Sequence, residues 1–314
     1  MNMRKVLRIL GTIFTLSAFV FIIKSFLEFD IDYNVFATQV YVKIAIVSTL
    51  SASFFIFVGS YAWRGFLSLF GKKQIPFRST FYIYAKSNLG KYIPGNIGHY
   101  ASRQIFGVEL GLKQIHLILV SVLEILYSAG AALILVIALS WDKIFDIIHE
   151  LNLAGVVVAV VLSGLAIVFA FIVFFRKNKY FTDVVTLIRN IAFWKAFSLG
   201  LSASLLSLLT TGIVFAFLIN FSTPILNVSH LATIVAASVT SWLIGFITPG
   251  SPGGIGVREA VLVIMLSPII TKEMILTAAV MQRATFILGD VAAWLISMAL
   301  ARLNCKNAKM EDKH

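Results

Sequence analysis

Five ionisable residues, Glu124, Arg258, Glu259, Arg283 and Asp290, lie in stretches that are otherwise apolar. Placing a charge at the centre of a bilayer costs about 3 kcal/mol on insertion scales, so each is a candidate functional group if its stretch enters a membrane. Arg258 and Glu259 follow directly on Thr-Pro-Gly-Ser-Pro-Gly-Gly-Ile-Gly at 248–256. A helix starting after Gly253, Gly254 and Gly256 presents backbone N–H groups and the positive end of its dipole, and the Arg258 guanidinium adds a bidentate donor. That combination suits phosphate. A second glycine cluster, Lys-Tyr-Ile-Pro-Gly-Asn-Ile-Gly at 91–98, sets Lys91, Asn96, His99 and Arg103 in a similar surrounding. His99 reads more readily as a buried, hydrogen-bonded imidazole than as a ligand.

Spacing divides the roles. Consecutive residues on a helix point roughly 100° apart, so Arg258 is read as facing a ligand or an opposing carboxylate, and Glu259 as pairing elsewhere, with Arg283 the candidate. Arg283 and Asp290 are seven positions apart, about 10 Å along one helix face, too far to pair but able to line one cavity. Glu124, Arg283 and Asp290 are therefore expected to gate or to form ion pairs. Two alternatives stay open: Arg258 and Glu259 as purely structural pairs, and Glu124 and Asp290 as proton-coupling carboxylates.

The elements that must position these groups follow from composition. The 314 residues are 59% hydrophobic and 13% charged, with a mean hydropathy of +0.94. Soluble chains run about 45–50% apolar and about 25% charged. The chain reads as an integral membrane protein, which excludes a soluble enzyme, a secreted domain and a disordered tail. Apolar runs predict spans near 9–27, 41–63, 115–140, 151–175, 196–219 and 274–301. The first follows Arg4, Lys5 and Arg8 with no small-residue cleavage site, so it reads as uncleaved. Residues 79–106 and 230–270 are also apolar, but their Pro/Gly clusters break any helix. Irregular backbone at membrane depth survives only when buried in protein or lining a wet cavity. Both are read as re-entrant hairpins of two half-helices. Residues 176–195 are amphipathic and predict an interfacial connector.

The formal charge of +12 invites a nucleic-acid partner, yet its distribution argues for topology. With the N-terminus inside, 20 of the 26 Lys and Arg residues fall on segments assigned to the cytoplasmic side, the asymmetry that orients membrane proteins. Nucleic acid is excluded as a partner, and both termini are expected in the cytoplasm. The single Cys305 and five scattered His residues permit no Cys/His metal cluster, and no metal or cofactor is expected.

Pro94-Gly95-Asn96-Ile97-Gly98 and Pro252-Gly253-Gly254-Ile255-Gly256 share Pro-Gly-x-Ile-Gly at an offset of 158 residues. The same offset carries Glu124 to position 282, beside Arg283. Each cluster is preceded by two spans and followed by one, so the halves 1–140 and 151–302 read as inverted-topology repeats within one membrane domain, with 303–314 a cytoplasmic tail. Such repeats recur in transporters. The alternative is eight conventional crossings with a turn at each glycine cluster.

Lys-Tyr-Ile-Pro-Gly-Asn-Ile-Gly followed by Arg103, and Pro-Gly-Ser-Pro-Gly-Gly-Ile-Gly-Val-Arg-Glu at 249–259, resemble the transmembrane region of the lysylphosphatidylglycerol synthase/flippase family across about 5–302. The resemblance implies a lipid flippase-like role in a bacterial or archaeal plasma membrane, with Arg258, Glu259, Glu124 and Arg283 as matched polar positions. Bifunctional relatives carry a soluble C-terminal aminoacyl transferase domain. This sequence stops at His314, so no synthase activity is expected, and the headgroup need not be lysylated.

The expectation is thus an all-α membrane protein of six spans and two re-entrant hairpins. It moves an anionic or aminoacylated phospholipid, or a lipid-linked headgroup, between leaflets. Rival readings are an intramembrane transferase acting on a lipid phosphate and a secondary transporter of a small anion. Membrane lipids are the expected partners, and a homo-oligomer or a lipid- or glycan-synthesis complex is compatible with the sequence.

Overall fold

The computed structural model describes residues 38–92, 98–150, 186–222, 228–248 and 254–311, and the described residues form an all-helical bundle. Its helices are α1 (Gln39–Gly71), α2 (Phe77–Asn88), α3 (Gly98–Gly107), α4 (Gln114–Glu150), α5 (Ile191–Ser222), α6 (Val228–Ile247), α7 (Val257–Leu266) and α8 (Lys272–Glu311). Five stretches are long and apolar enough to cross a bilayer: Gln39–Gly71, Gln114–Trp141, Ile191–Asn220, His230–Ile247 and Lys272–Ala301. Four of them fall on expected spans. The fifth, His230–Ile247, lies where a half-helix was expected, so the second broken segment is asymmetric, with a long first arm and a 10-residue return. The expected spans 9–27 and 151–175, and residues 176–185 of the amphipathic connector, lie outside the described residues. Residues 191–195 belong to the first turns of α5 rather than to a separate interfacial helix. Helix α8 runs unbroken to Glu311, through most of the expected tail.

The bundle turns apolar side chains outward as a membrane protein does. Val47, Leu50 and Phe54 on α1, Leu126 and Leu133 on α4 and Leu288 on α8 are all at least half exposed, a pattern that would be a liability in water. Between helices, contact rests on small residues and hydroxyls. Where α1 crosses α8, Ser48 and Thr285 hydroxyls meet at 2.8 Å and Ser53 donates to the Gly289 carbonyl at 2.9 Å. A Cβ at Gly289 would lie 2.6 Å from that of Ala52.

The two short-helix units enter from opposite ends of this bundle. The first core cluster joins α2 and α3 to Trp63, Phe66 and Phe70 of α1, Leu117 of α4, Phe193 of α5 and Ala293 of α8. The second joins α6 and α7 to Tyr41 of α1, Phe215 and Ile219 of α5 and Ile275 and Ala278 of α8. Helices α1, α5 and α8 thus give one end to each cluster. Within the first unit, Lys73 Nζ, just past α1, donates to the carbonyls of Leu110 at 2.7 Å and Gly111 at 3.2 Å, just past α3. The chain enters and leaves α2–α3 at the same end of the bundle. These arms have 12 and 10 residues, about 18 and 15 Å of helix.

Candidate functional site: a charged cavity between the short helices

Described residues flanking the break in each unit, Lys91, Tyr92 and His99 in the first and Arg258 and Glu259 in the second, line one cavity of about 300 Å³. Four cations, Lys91, Arg103, Arg258 and Arg283, and three carboxylates, Glu124, Glu259 and Asp290, line it. The sequence-predicted ionisable groups are therefore brought together; Gly254 and Gly256 are not among the lining residues, and Asn96 and Gly253 lie outside the described residues.

Each carboxylate is held by a cation. Arg103 on α3 pairs with Glu124 on α4. Its Nη2 also donates to Asn88 Oδ1 at 2.9 Å, and its guanidinium stacks 3.8 Å from the Tyr84 ring centroid. Tyr84 itself donates to Glu124 at 2.9 Å. Arg103 is 1% exposed and is held by a carboxylate, an amide oxygen and an aromatic ring while it lines the cavity. Arg283 on α8 pairs with Glu259 on α7 at 2.9 Å. Lys91 of the first unit pairs at 2.6 Å with Asp290 on α8, and Tyr92 also donates to Asp290. Arg283 and Asp290 share the cavity without pairing, as their spacing requires.

The second glycine cluster differs from its expected use. Glu259 Oε2 accepts from the Gly256 N–H at 2.8 Å, a capping-box contact that satisfies an N–H expected to be open for an anion. Glu259 is engaged by this cap and by Arg283 while it lines the cavity. Gly254 and Gly256 adopt φ of +78° and +81°, the left-handed region that glycine enters without strain. Gly254 also makes room: a Cβ there would lie 2.6 Å from Arg258 Nε, and one at Gly245 on α6 would lie 2.7 Å from Arg258 Cγ. These two glycines form a slot for the arginine.

Arg258 is the surplus charge. Among the described residues it forms no ion pair, and its buried Nε has no hydrogen-bond partner. Arg283 Nη1 and Arg103 Nε are likewise buried donors without acceptors, and His99 Nδ1 is a buried ring nitrogen without a partner. All four residues line the cavity. The cavity is also lined by uncharged polar groups: Ser204, Ser207 and Thr211 of α5, Ser238 and Ser241 of α6, and Gln282 of α8. Sequence reasoning did not single out Tyr84, Asn88, Tyr92, Gly245 or these uncharged polar groups. Only Tyr92 carried a signal, as the neighbour of Lys91 ahead of the first Pro-Gly pair.

The fold and the cavity define a multi-pass membrane protein with a charged interior. The chain belongs to the lysylphosphatidylglycerol synthase TM region family, whose model matches residues 6–293. Among curated proteins none matches the chain. Membership implies a membrane function connected with lipids.

Proposed function

We propose that this protein is a lipid translocase that passes an anionic headgroup through the central cavity while the acyl chains stay in the bilayer. The observation that carries the reading is Arg258, which among the described residues has no ion-pair partner, in a cavity whose described carboxylates are each paired with another cation. A phosphodiester supplies the acceptor oxygens that Arg258 and the free N–H of Arg283 lack. At about 300 Å³ the cavity lies at the lower end of small-ligand pockets. That admits a headgroup and leaves the acyl chains outside.

In this reading α2–α3 and α6–α7 are re-entrant hairpins of two inverted repeats. Support comes from the shared Pro-Gly-x-Ile-Gly, from the opposite ends at which the two units join the bundle, and from three arms that fall short of the roughly 30 Å hydrocarbon core. The long α6 is a departure from symmetry: one arm of the second unit reaches across. The basic residues assign both termini to the cytoplasm. No covalent step is assigned, because every carboxylate in the cavity is neutralised by a cation and none is left as a base.

The test is headgroup translocation in reconstituted vesicles with fluorescent or spin-labelled phospholipid. Arg258→Ala is expected to reduce protein-dependent translocation to the protein-free rate. Its elution and thermal unfolding should match the wild type, since no partner is orphaned. Full transport by this variant refutes the reading of Arg258 as the headgroup site.

A further inference from the structure

The charge balance of the cavity bears on which headgroup it takes. Four cations against three carboxylates leave one formal positive charge, carried by Arg258. Glu124 accepts from Arg103 and Tyr84, Glu259 from Arg283 and the Gly256 N–H, and Asp290 from Lys91 and Tyr92. Among the described residues, a ligand ammonium entering this space meets no carboxylate without a cation and faces the excess charge on Arg258. The cavity lining also offers hydroxyls. Thr211 Oγ1 donates to the Ser207 carbonyl at 2.7 Å and Ser241 Oγ to the Ser238 carbonyl at 2.8 Å. Each spends its proton on its own helix and keeps lone pairs for an incoming O–H.

We infer that the cavity selects a phosphodiester headgroup of net negative charge whose remainder is uncharged and hydroxylated, and discriminates against the same lipid bearing an added ammonium. The inference rests on the proposed translocase reading and sharpens it to a substrate class. Phosphatidylglycerol has the required chemistry. Its lysyl ester, the compound in the family's description, does not: the lysyl group adds two ammonium charges and esterifies a glycerol hydroxyl. Like-charge contact in a desolvated site weighs heavily against a wrong partner.

The experiment measures binding of phosphatidylglycerol, lysylphosphatidylglycerol and phosphatidylethanolamine to the purified full chain by native mass spectrometry. Inorganic phosphate serves as competitor. Phosphatidylglycerol is expected to bind at least about tenfold more tightly than the lysyl ester, the equivalent of one lost favourable contact. Arg258→Gln should remove that preference at unchanged thermal stability. Arg283→Gln, which frees Glu259, should raise the relative affinity for the lysyl ester, a shift that a purely structural pair does not give. Equal or tighter binding of the lysyl ester by the wild type overturns the selectivity and leaves translocation standing. Binding of none of the three lipids overturns the translocase reading itself. Displacement of phosphatidylglycerol by inorganic phosphate at matching concentration marks a free-anion site and overturns the lipid as the source of the phosphate.

Discussion

The two short-helix units solve the same problem with exchanged charges. In the first, the return helix α3 supplies Arg103 and the following long helix α4 supplies Glu124. In the second, α7 supplies Glu259 and α8 supplies Arg283. Each pair ties a short return helix, with little apolar surface of its own, to the long helix that follows. The surroundings differ. Around Arg103, Asn88 and the Tyr84 face add to the coordination, and although its Nε lacks an acceptor its charge is matched by Glu124. The second unit carries one cation more, Arg258, seated in a slot of Gly245 and Gly254 with nothing opposite its Nε. The comparison separates charges that hold the fold from the charge left over for a ligand, a distinction that composition and spacing cannot make.

That separation can be broken experimentally. The largest stability loss is expected at the first pair: Glu124→Ala orphans Arg103, and removing one partner of a buried pair costs about 3–5 kcal/mol. Thermal unfolding in detergent should show a large drop, in contrast to Arg258→Ala. If the two variants unfold alike, the division of roles fails. A smaller coupling is expected at the second pair, because Arg283 and Glu259 retain 14% and 10% side-chain exposure and Glu259 keeps its cap. A double-mutant cycle of Glu259→Gln and Arg283→Gln should give about 1–3 kcal/mol. Additive losses would remove the pair from the argument. Gly254→Ala comes next, at about 1–2 kcal/mol for a left-handed backbone. Because the new Cβ intrudes on the Arg258 side chain, translocation should fall further than stability does. The smallest effect is Tyr92→Phe, which removes one of two donors to Asp290 and should cost about 1 kcal/mol. An unchanged melting temperature would show that Lys91 alone suffices to hold Asp290.

The membrane class, four of the five described spans and the ionisable residues of the site were legible in the sequence. Each depends on a local property: about 20 apolar residues for a span, a Pro/Gly cluster for a break, a charge standing in an apolar run. The Arg283–Glu259 pairing was legible too, since neighbours 100° apart cannot share one direction. Legibility stopped at partners distant in the chain. Arg103 looks as free as Arg258 when read from its own motif, and only Glu124, Asn88 and Tyr84, brought in from α4 and α2, show that it is not. Gly254 reads as open backbone for an anion until the fold places the Arg258 side chain against it. The length of α6 was missed because a glycine break at 248–256 fixes where α6 ends and α7 begins, and says nothing of where α6 begins or α7 ends.

By itself the sequence determined that the chain lives in a bilayer, where its helices break and which few charges lie among apolar residues. Those outcomes follow from backbone hydrogen bonding and burial cost, which act within a segment. Which charges neutralise one another was decided only by tertiary structure, because ion pairing depends on distances of 3–4 Å between segments that are far apart in the chain. The tertiary arrangement used three cations to satisfy three carboxylates and left Arg258 over.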